Sequence, residues 1–230
     1  MIDVRKASDR GPADHGWLKS FHTFSFADYH DPAHMGFRGL RVMNEDWVQP
    51  GQGFGMHPHR DMEIVTYVLE GSLEHRDSMG NGEVLRAGEF QYMSAGTGIR
   101  HSEFNPSDTE LVHLYQIWIF PNEKGLTPTY AQKKFSEESK RGRWQTVASP
   151  DGTDGSLSIR QDAKVYLSIL EPSQPLGYDL LPQRAVWLQV MSGNVELNGV
   201  RLETGDGAAM TDEPTLEVSG SGEVMLFDLP

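Results

Sequence analysis

The chain of 230 residues contains no cysteine. Disulfides, thiolate metal sites and a cysteine nucleophile are therefore excluded. Cations are scarce too: 20 Lys and Arg stand against 33 Asp and Glu, giving a formal net charge of −13 and a pI near 5.0. Such an acidic chain offers no electrostatic footprint for nucleic acid or an anionic membrane; neither is an expected partner, while docking to a protein stays open. No apolar run approaches the ~20 residues that span a bilayer. The opening residues, MIDVRKASDRG, are too polar for a signal peptide, and a cytoplasmic location is expected. Long stretches of helical periodicity are also missing. Histidine is absent from the second half, the last one being His113.

What is present is short β-rich runs and turn signals. Twenty-four Gly and 13 Pro imply many turns. Gly39 to Asn44, Met62 to Leu69 and Leu111 to Phe120 are rich in β-branched or aromatic residues and read as strands. Residues 122–143 are polar and rich in Lys and Arg; they predict a linker, with one helical turn around Ala131 to Ser139. Strand patterns then return at 156–160, 165–170, 185–190 and 223–228. The halves repeat weakly. Val65 to Gly71 resembles Trp187 to Gly193, and Leu85-Arg-Ala-Gly88-Glu resembles Leu202-Glu-Thr-Gly205-Asp. An all-β chain of two duplicated sandwiches or barrels is expected.

The chemistry concentrates in two segments. His57-Pro-His59 and His101-Ser-Glu103 are two i, i+2 pairs, and such residues share one face of a strand. If the two strands are neighbours, three imidazoles and a carboxylate converge. That donor set suits a divalent transition metal: Fe(II) first, with Mn, Ni, Cu or Zn open. Pro58 lacks an N–H and predicts an edge or strand-start position. Glu63, counted along the same parity as His57 and His59, is expected to face the same cavity, as a further ligand or by orienting an imidazole. His75 and His113 fall on strand-like runs without an evident partner and read as structural. His15, His22, His30 and His34 lack ligand spacing and read as loop or interface residues. No Gly-x-Ser-x-Gly elbow is present, and Gly51-x-Gly53-x-Gly55 is not followed by a helix pattern. Phe21, Phe24, Phe26 and Tyr29 read as core filling, some of them able to wall a pocket for an aromatic ligand.

The first segment resembles the first motif of the cupin superfamily, and His101 followed by Asn105 resembles the second. Asp14-His-Gly-Trp17, Phe21-His-Thr-Phe-Ser-Phe26, Thr66-Tyr-Val-Leu-Glu-Gly71 and Ala95-Gly-Thr-Gly-Ile-Arg-His-Ser-Glu103 are more specific: the chain resembles the pirins, and among them the bacterial quercetin-cleaving ones. The resemblance implies a bicupin of two jelly-roll barrels packed face to face, a metal-binding barrel over residues 1–133 and a metal-free one over 134–230. It implies one ion held by His57, His59, His101 and Glu103. It further implies a metal-dependent dioxygenase that cleaves flavonols such as quercetin with dioxygen and releases carbon monoxide, with Glu63 or Glu103 accepting the substrate proton. The alternative it leaves is a regulatory, protein-binding module with a redox-responsive metal.

Overall fold

The structure, a computed structural model, describes residues 1–230. The first strands are β1 (Ile2–Arg5), β2 (Gly11–Asp14), β3 (Leu18–His22), β4 (Leu40–Val48), β5 (Gly53–His59) and β6 (Glu63–Glu70). Next come β7 (Ser72–Asp77), β8 (Gly82–Arg86), β9 (Glu89–Ser94), β10 (Ile99–Phe104), β11 (Val112–Ile119) and β12 (Thr129–Lys134). One short helix, α1 (Glu137–Lys140), precedes β13 (Gln145–Ser149), β14 (Leu157–Ser158), β15 (Lys164–Leu170) and β16 (Leu176–Asp179). The last strands are β17 (Ala185–Leu197), β18 (Val200–Glu203), β19 (Gly207–Met210) and β20 (Thr215–Leu229). The expectation of an all-β chain holds.

Contacts divide the chain into two compact units. One comprises residues 11–134 with 159–161; the other comprises residues 1–10, 135–158 and 162–230. The contiguous division expected at 133/134 is therefore too simple. Strand β1 hydrogen-bonds to β19, so the first ten residues join the later unit. The Asn122 N–H donates to the Arg160 carbonyl at 2.8 Å, within the earlier unit. The helical turn expected from Ala131 is also displaced. Residues 129–134 instead pair with β9, which half-buries Tyr130 beside Met93; only 137–140 is α-helical, N-capped by Ser136.

The earlier unit is a barrel of two sheets, one in the order β12-β9-β6-β11-β4-β3-β2 and one in the order β5-β10-β7-β8. Inward residues of both sheets share its core. Leu18, Val48, Val68 and Leu114 from the larger sheet pack with Leu73 and Leu85 from the smaller.

The later unit follows the same plan. Its long strands β17 and β20 each run through both layers, giving β1-β19-β17-β20-β15-β13-β14, with β18 beside β17 and β16 beside β20. Matching the orders equates β6 and β7 with the two ends of β17, and β10 and β11 with the two ends of β20. The weak sequence repeat is thus a repeat of topology. In this barrel the interior is one aliphatic cluster of fifteen buried residues, among them Leu188, Val190, Leu202, Ala208, Val218 and Leu226.

Candidate metal centre

Strands β5 and β10 are antiparallel neighbours, and His101 lies directly opposite His57. Strand β5 is the edge of its sheet, where Pro58 sits without costing a ladder bond. Gly53 lets the strands close up: a Cβ there would meet the Glu103 carbonyl oxygen at 2.2 Å. Gly96, at φ +44°, performs the same service for the turn leading into β10, where a Cβ would lie 1.9 Å from the Leu126 carbonyl oxygen.

The donor nitrogens of His57, His59 and His101 lie within 4.8 Å of one another. A second group within the same span joins His75, His101 and Glu103. Glu103 thus adjoins the imidazoles through His101 and His75. Its buried carboxylate is held by two amides: Gln91 Nε2 donates to Oε1 at 3.0 Å and Gln116 Nε2 to Oε2 at 2.9 Å. Burial pushes Glu103 up, but His101, His75 and the Gln91 hydrogen bond outweigh it and hold the carboxyl below its ordinary value.

His75 is a correction. It is fully buried, and its Nε2 bonds Asp77 Oδ2 at 3.1 Å. It also stacks on Tyr130, with centroids 4.6 Å apart, and its Nδ1 lies 3.4 Å from His101 Nδ1. Burial opposes ionisation of Asp77, yet hydrogen bonds from Asn81, His75 and the backbone hold it below the usual carboxylate range. A carboxylate accepts only, so His75 carries its proton on Nε2 and leaves Nδ1 as an acceptor. His101 then donates from Nδ1, which frees its Nε2 of hydrogen. That Nε2 is buried and has no hydrogen-bond partner. His57 is set the same way, with Nδ1–H donating to the Gly55 carbonyl at 2.7 Å. Burial, then His101 and His57, lower His59 to about 4, and burial lowers His101 as well. Three imidazoles, two of them lowered by burial and one with an orphaned buried nitrogen, beside an ionised carboxylate, fit a divalent transition metal.

Glu63 does not join them. It pairs with Ser94, and alternation sends it to the opposite face from Ile64 and Thr66. Tyr92 and Ser94 hydroxyls and the Arg160 N–H all donate to its carboxylate. Counting parity from His59 fails because Asp61, at φ +49°, turns the chain into β6 of the other sheet. His113 also has a partner: its Nε2 bonds Glu45 Oε1 at 3.0 Å, and its ring stacks on Trp47.

A cavity of about 230 Å³ opens beside these groups. His57, His59, Glu103 and Gln116 line one part of it; Leu18, Phe26, Phe54 and Trp118 form an apolar belt. Trp118 meets both His59 and Phe26 edge to face, at 4.9 and 5.3 Å. Phe26 thus walls a pocket. His22, expected in a loop or interface, is buried at the end of β3 and lines the cavity with Ser20, Asn44 and Asp46. Burial pushes Asp46 up to about 7, against the hydrogen bond from Ser20. Sequence reasoning missed these residues, although His75-x-Asp77, Ser20-x-His22 and Asn44-x-Asp46 have the same i, i+2 spacing as the recognised pairs.

Residues 3–119 match the family model described as Pirin, and residues 146–229 match one described as Quercetinase C-terminal cupin domain. The chain is 56% identical over 232 residues to a quercetin 2,3-dioxygenase of Escherichia coli (strain K12), covering 100% of this chain and 99% of that protein. The crystal structure of YhhW from Escherichia coli superposes with a TM-score of 0.97 at 56% identity, over 100% of this chain and 98% of that one. Bacterial pirin YhhW in complex with nickel(II) superposes at 0.96 and 55% identity, over 100% and 99% of the two chains. Matched by that model through the half that bears its imidazoles, and along its whole length by these proteins, the chain belongs to the pirin family.

Proposed function

We propose that the chain is a metal-dependent dioxygenase that opens flavonols such as quercetin and releases carbon monoxide. The observation that carries this reading is the convergence of three imidazoles, one with an orphaned buried Nε2, beside a cavity belted by aromatic rings. The 56% identity to a quercetin 2,3-dioxygenase supports the substrate class. The nickel(II) complex of a bacterial pirin supports a divalent ion.

His57, His59 and His101 would hold the ion, with Glu103 as the fourth ligand, and iron(II) is the ion we assign. Bound there, it supplies Lewis-acid activation of a flavonol hydroxyl and open positions for substrate and dioxygen. The protein does the rest. Asp77 and His75 set the tautomer of His101. Gln91 and Gln116 hold the Glu103 carboxylate in place. Glu103 stays ionised and is the carboxylate beside the imidazoles that would take the substrate's hydroxyl proton; Glu63, on the other face, is not placed to do so. Phe26, Phe54 and Trp118 clamp a planar ring and exclude water.

The test couples metal analysis to dioxygen uptake. One ion per chain and quercetin-dependent oxygen consumption that chelation abolishes are the expected results. Metal-replete protein that consumes no oxygen with any flavonol would overturn the reading and leave the regulatory alternative in front. Glu103→Gln refines it. We expect retained metal and a kcat lowered about 100-fold, the scale of general base catalysis; normal turnover would remove Glu103 as the proton acceptor.

A further inference from the structure

The cavity has two polar ends. One is the metal end, with His57, His59, Glu103 and Gln116. The other continues from it along strands β4 and β3, where Ser20, His22, Asn44 and Asp46 face the same space. Register fixes the separation. Gln116 on β11 pairs with Asn44 on β4, and Asn44 pairs with His22 on β3. Neighbouring strands are about 4.8 Å apart, so His22 lies about 10 Å across the sheet from Gln116. That span suits a planar molecule of two or three fused or linked rings.

Internal bonds consume only part of the hydrogen-bonding capacity at this second end. The Ser20 hydroxyl donates to Asp46 Oδ1. His22 Nδ1 lies 2.9 Å from Asn44 Oδ1 and 3.3 Å from Ser20 Oγ. With Nδ1–H donating to Asn44, His22 Nε2 is a bare acceptor. Asn44 Nδ2 remains a donor, and Asp46 Oδ2, which the Ser20 bond does not use, presents the carboxyl proton as a second. Buried polar groups are costly when left without partners. An acceptor beside two donors complements phenolic hydroxyls, each of which both gives and takes a hydrogen bond.

We propose that Ser20, His22, Asn44 and Asp46 form a second recognition pole that binds hydroxyl groups on the substrate ring remote from the metal end, so that the site selects planar polyphenols hydroxylated at both extremities. This rests on the flavonol reading and sharpens it. The metal end positions the reacting ring, and the second pole decides which flavonols lie in register with it.

The experiment compares quercetin with the flavonol that lacks hydroxyls on the remote ring. Two quantities are measured on metal-loaded protein: kcat/KM, and equilibrium binding without oxygen by quenching of tryptophan fluorescence. Wild type is expected to favour quercetin about tenfold or more, the scale of one or two hydrogen bonds. Asp46→Ala and, independently, Asn44→Ala should each collapse that ratio several-fold while metal content holds. Asp46→Asn, which keeps the shape and the bond from Ser20, should retain most of it. If wild type treats the two flavonols alike, or if neither alanine variant moves the ratio, the second pole is refuted while the oxygenase reading stands. If no flavonol is consumed, the oxygenase reading falls and the binding ratio still decides this one. Failure of both flavonols to bind overturns both.

Discussion

Across five paired strands of the first barrel, Gln91, Thr66, Gln116, Asn44 and His22 lie in one inward row. At the matching places in the second barrel, in the same strand order, stand Ala208, Leu188, Leu226, Tyr166 and Thr146. Where the first barrel sets Glu103 opposite His75, the second sets Val218 opposite Leu197. The backbone plan is held constant while the lining changes from a hydrogen-bonded polar row to one that is aliphatic at Ala208, Leu188 and Leu226. The first barrel's aliphatic core is correspondingly divided into clusters of seven and four buried residues, against fifteen in the second. A barrel becomes a site by giving up part of its apolar interior. The polar groups it gains must then satisfy one another, as Gln91, Thr66, Gln116 and Glu103 do.

The comparison breaks most sharply at the imidazoles. Outer partners of a metal ligand alone cost 10- to 100-fold in affinity, so His101→Ala should weaken metal binding by about a thousandfold, roughly 4 kcal/mol. Stoichiometric metal retained by that variant, read by elemental analysis after desalting, would sink the ligand assignment.

Asp46 comes next, buried where the second barrel has Ser168. Folded Asp46 keeps its proton up to about pH 7, whereas the unfolded chain releases it near 3.8. The folded state therefore binds more protons inside that window, and stability falls as pH rises through it. Asp46→Asn should match wild type near pH 4 and exceed it by at most about 4 kcal/mol at pH 8. Denaturant melts at the two pH values measure the gap; a gap that is independent of pH contradicts the burial argument.

Giving the second barrel a residue of the first should be costly. Leu226→Gln places an amide in a closed aliphatic cluster with no polar row to receive it, for a loss of about 3 kcal/mol. A urea midpoint unchanged from wild type would mean that the second interior already tolerates polarity. The reverse exchange is milder. Gln116→Leu leaves Glu103 Oε2 without its donor and should cost about 2 kcal/mol. Adding Gln91→Ala, Thr66→Leu and Glu103→Val, to copy the second lining, should recover that loss, because replacing a buried polar network by matched apolar groups is often neutral or stabilising. A quadruple variant less stable than Gln116→Leu alone would show that the first barrel cannot close over an apolar interior.

Much of this was legible in the chain. Short alternating runs and Gly turns read as strands because side chains alternate faces with a period of two. The duplication read through because the strand and turn pattern around Gly71 and Gly88 recurs in the same order around Gly193 and Gly205. His57, His59, His101 and Glu103 stood out as paired i, i+2 donors. The same rule misled at Glu63, where parity was carried across a turn between two sheets. It passed over His75 and Asp77, whose significance lies in His101, 26 residues from His75.

By itself, then, the sequence determined the all-β class, the repeat and the paired imidazole and carboxylate donors of the candidate metal centre, because each depends on spacings within a few residues. Only the tertiary structure decided which residues share a cavity. Cross-strand register, which local spacing does not encode, aligns Gln91, Thr66, Gln116, Asn44 and His22 from five strands into one row. It seats Glu103 between two amides, sends Glu63 to the far face, and brings Asp46 into the same cavity as His57 and His59.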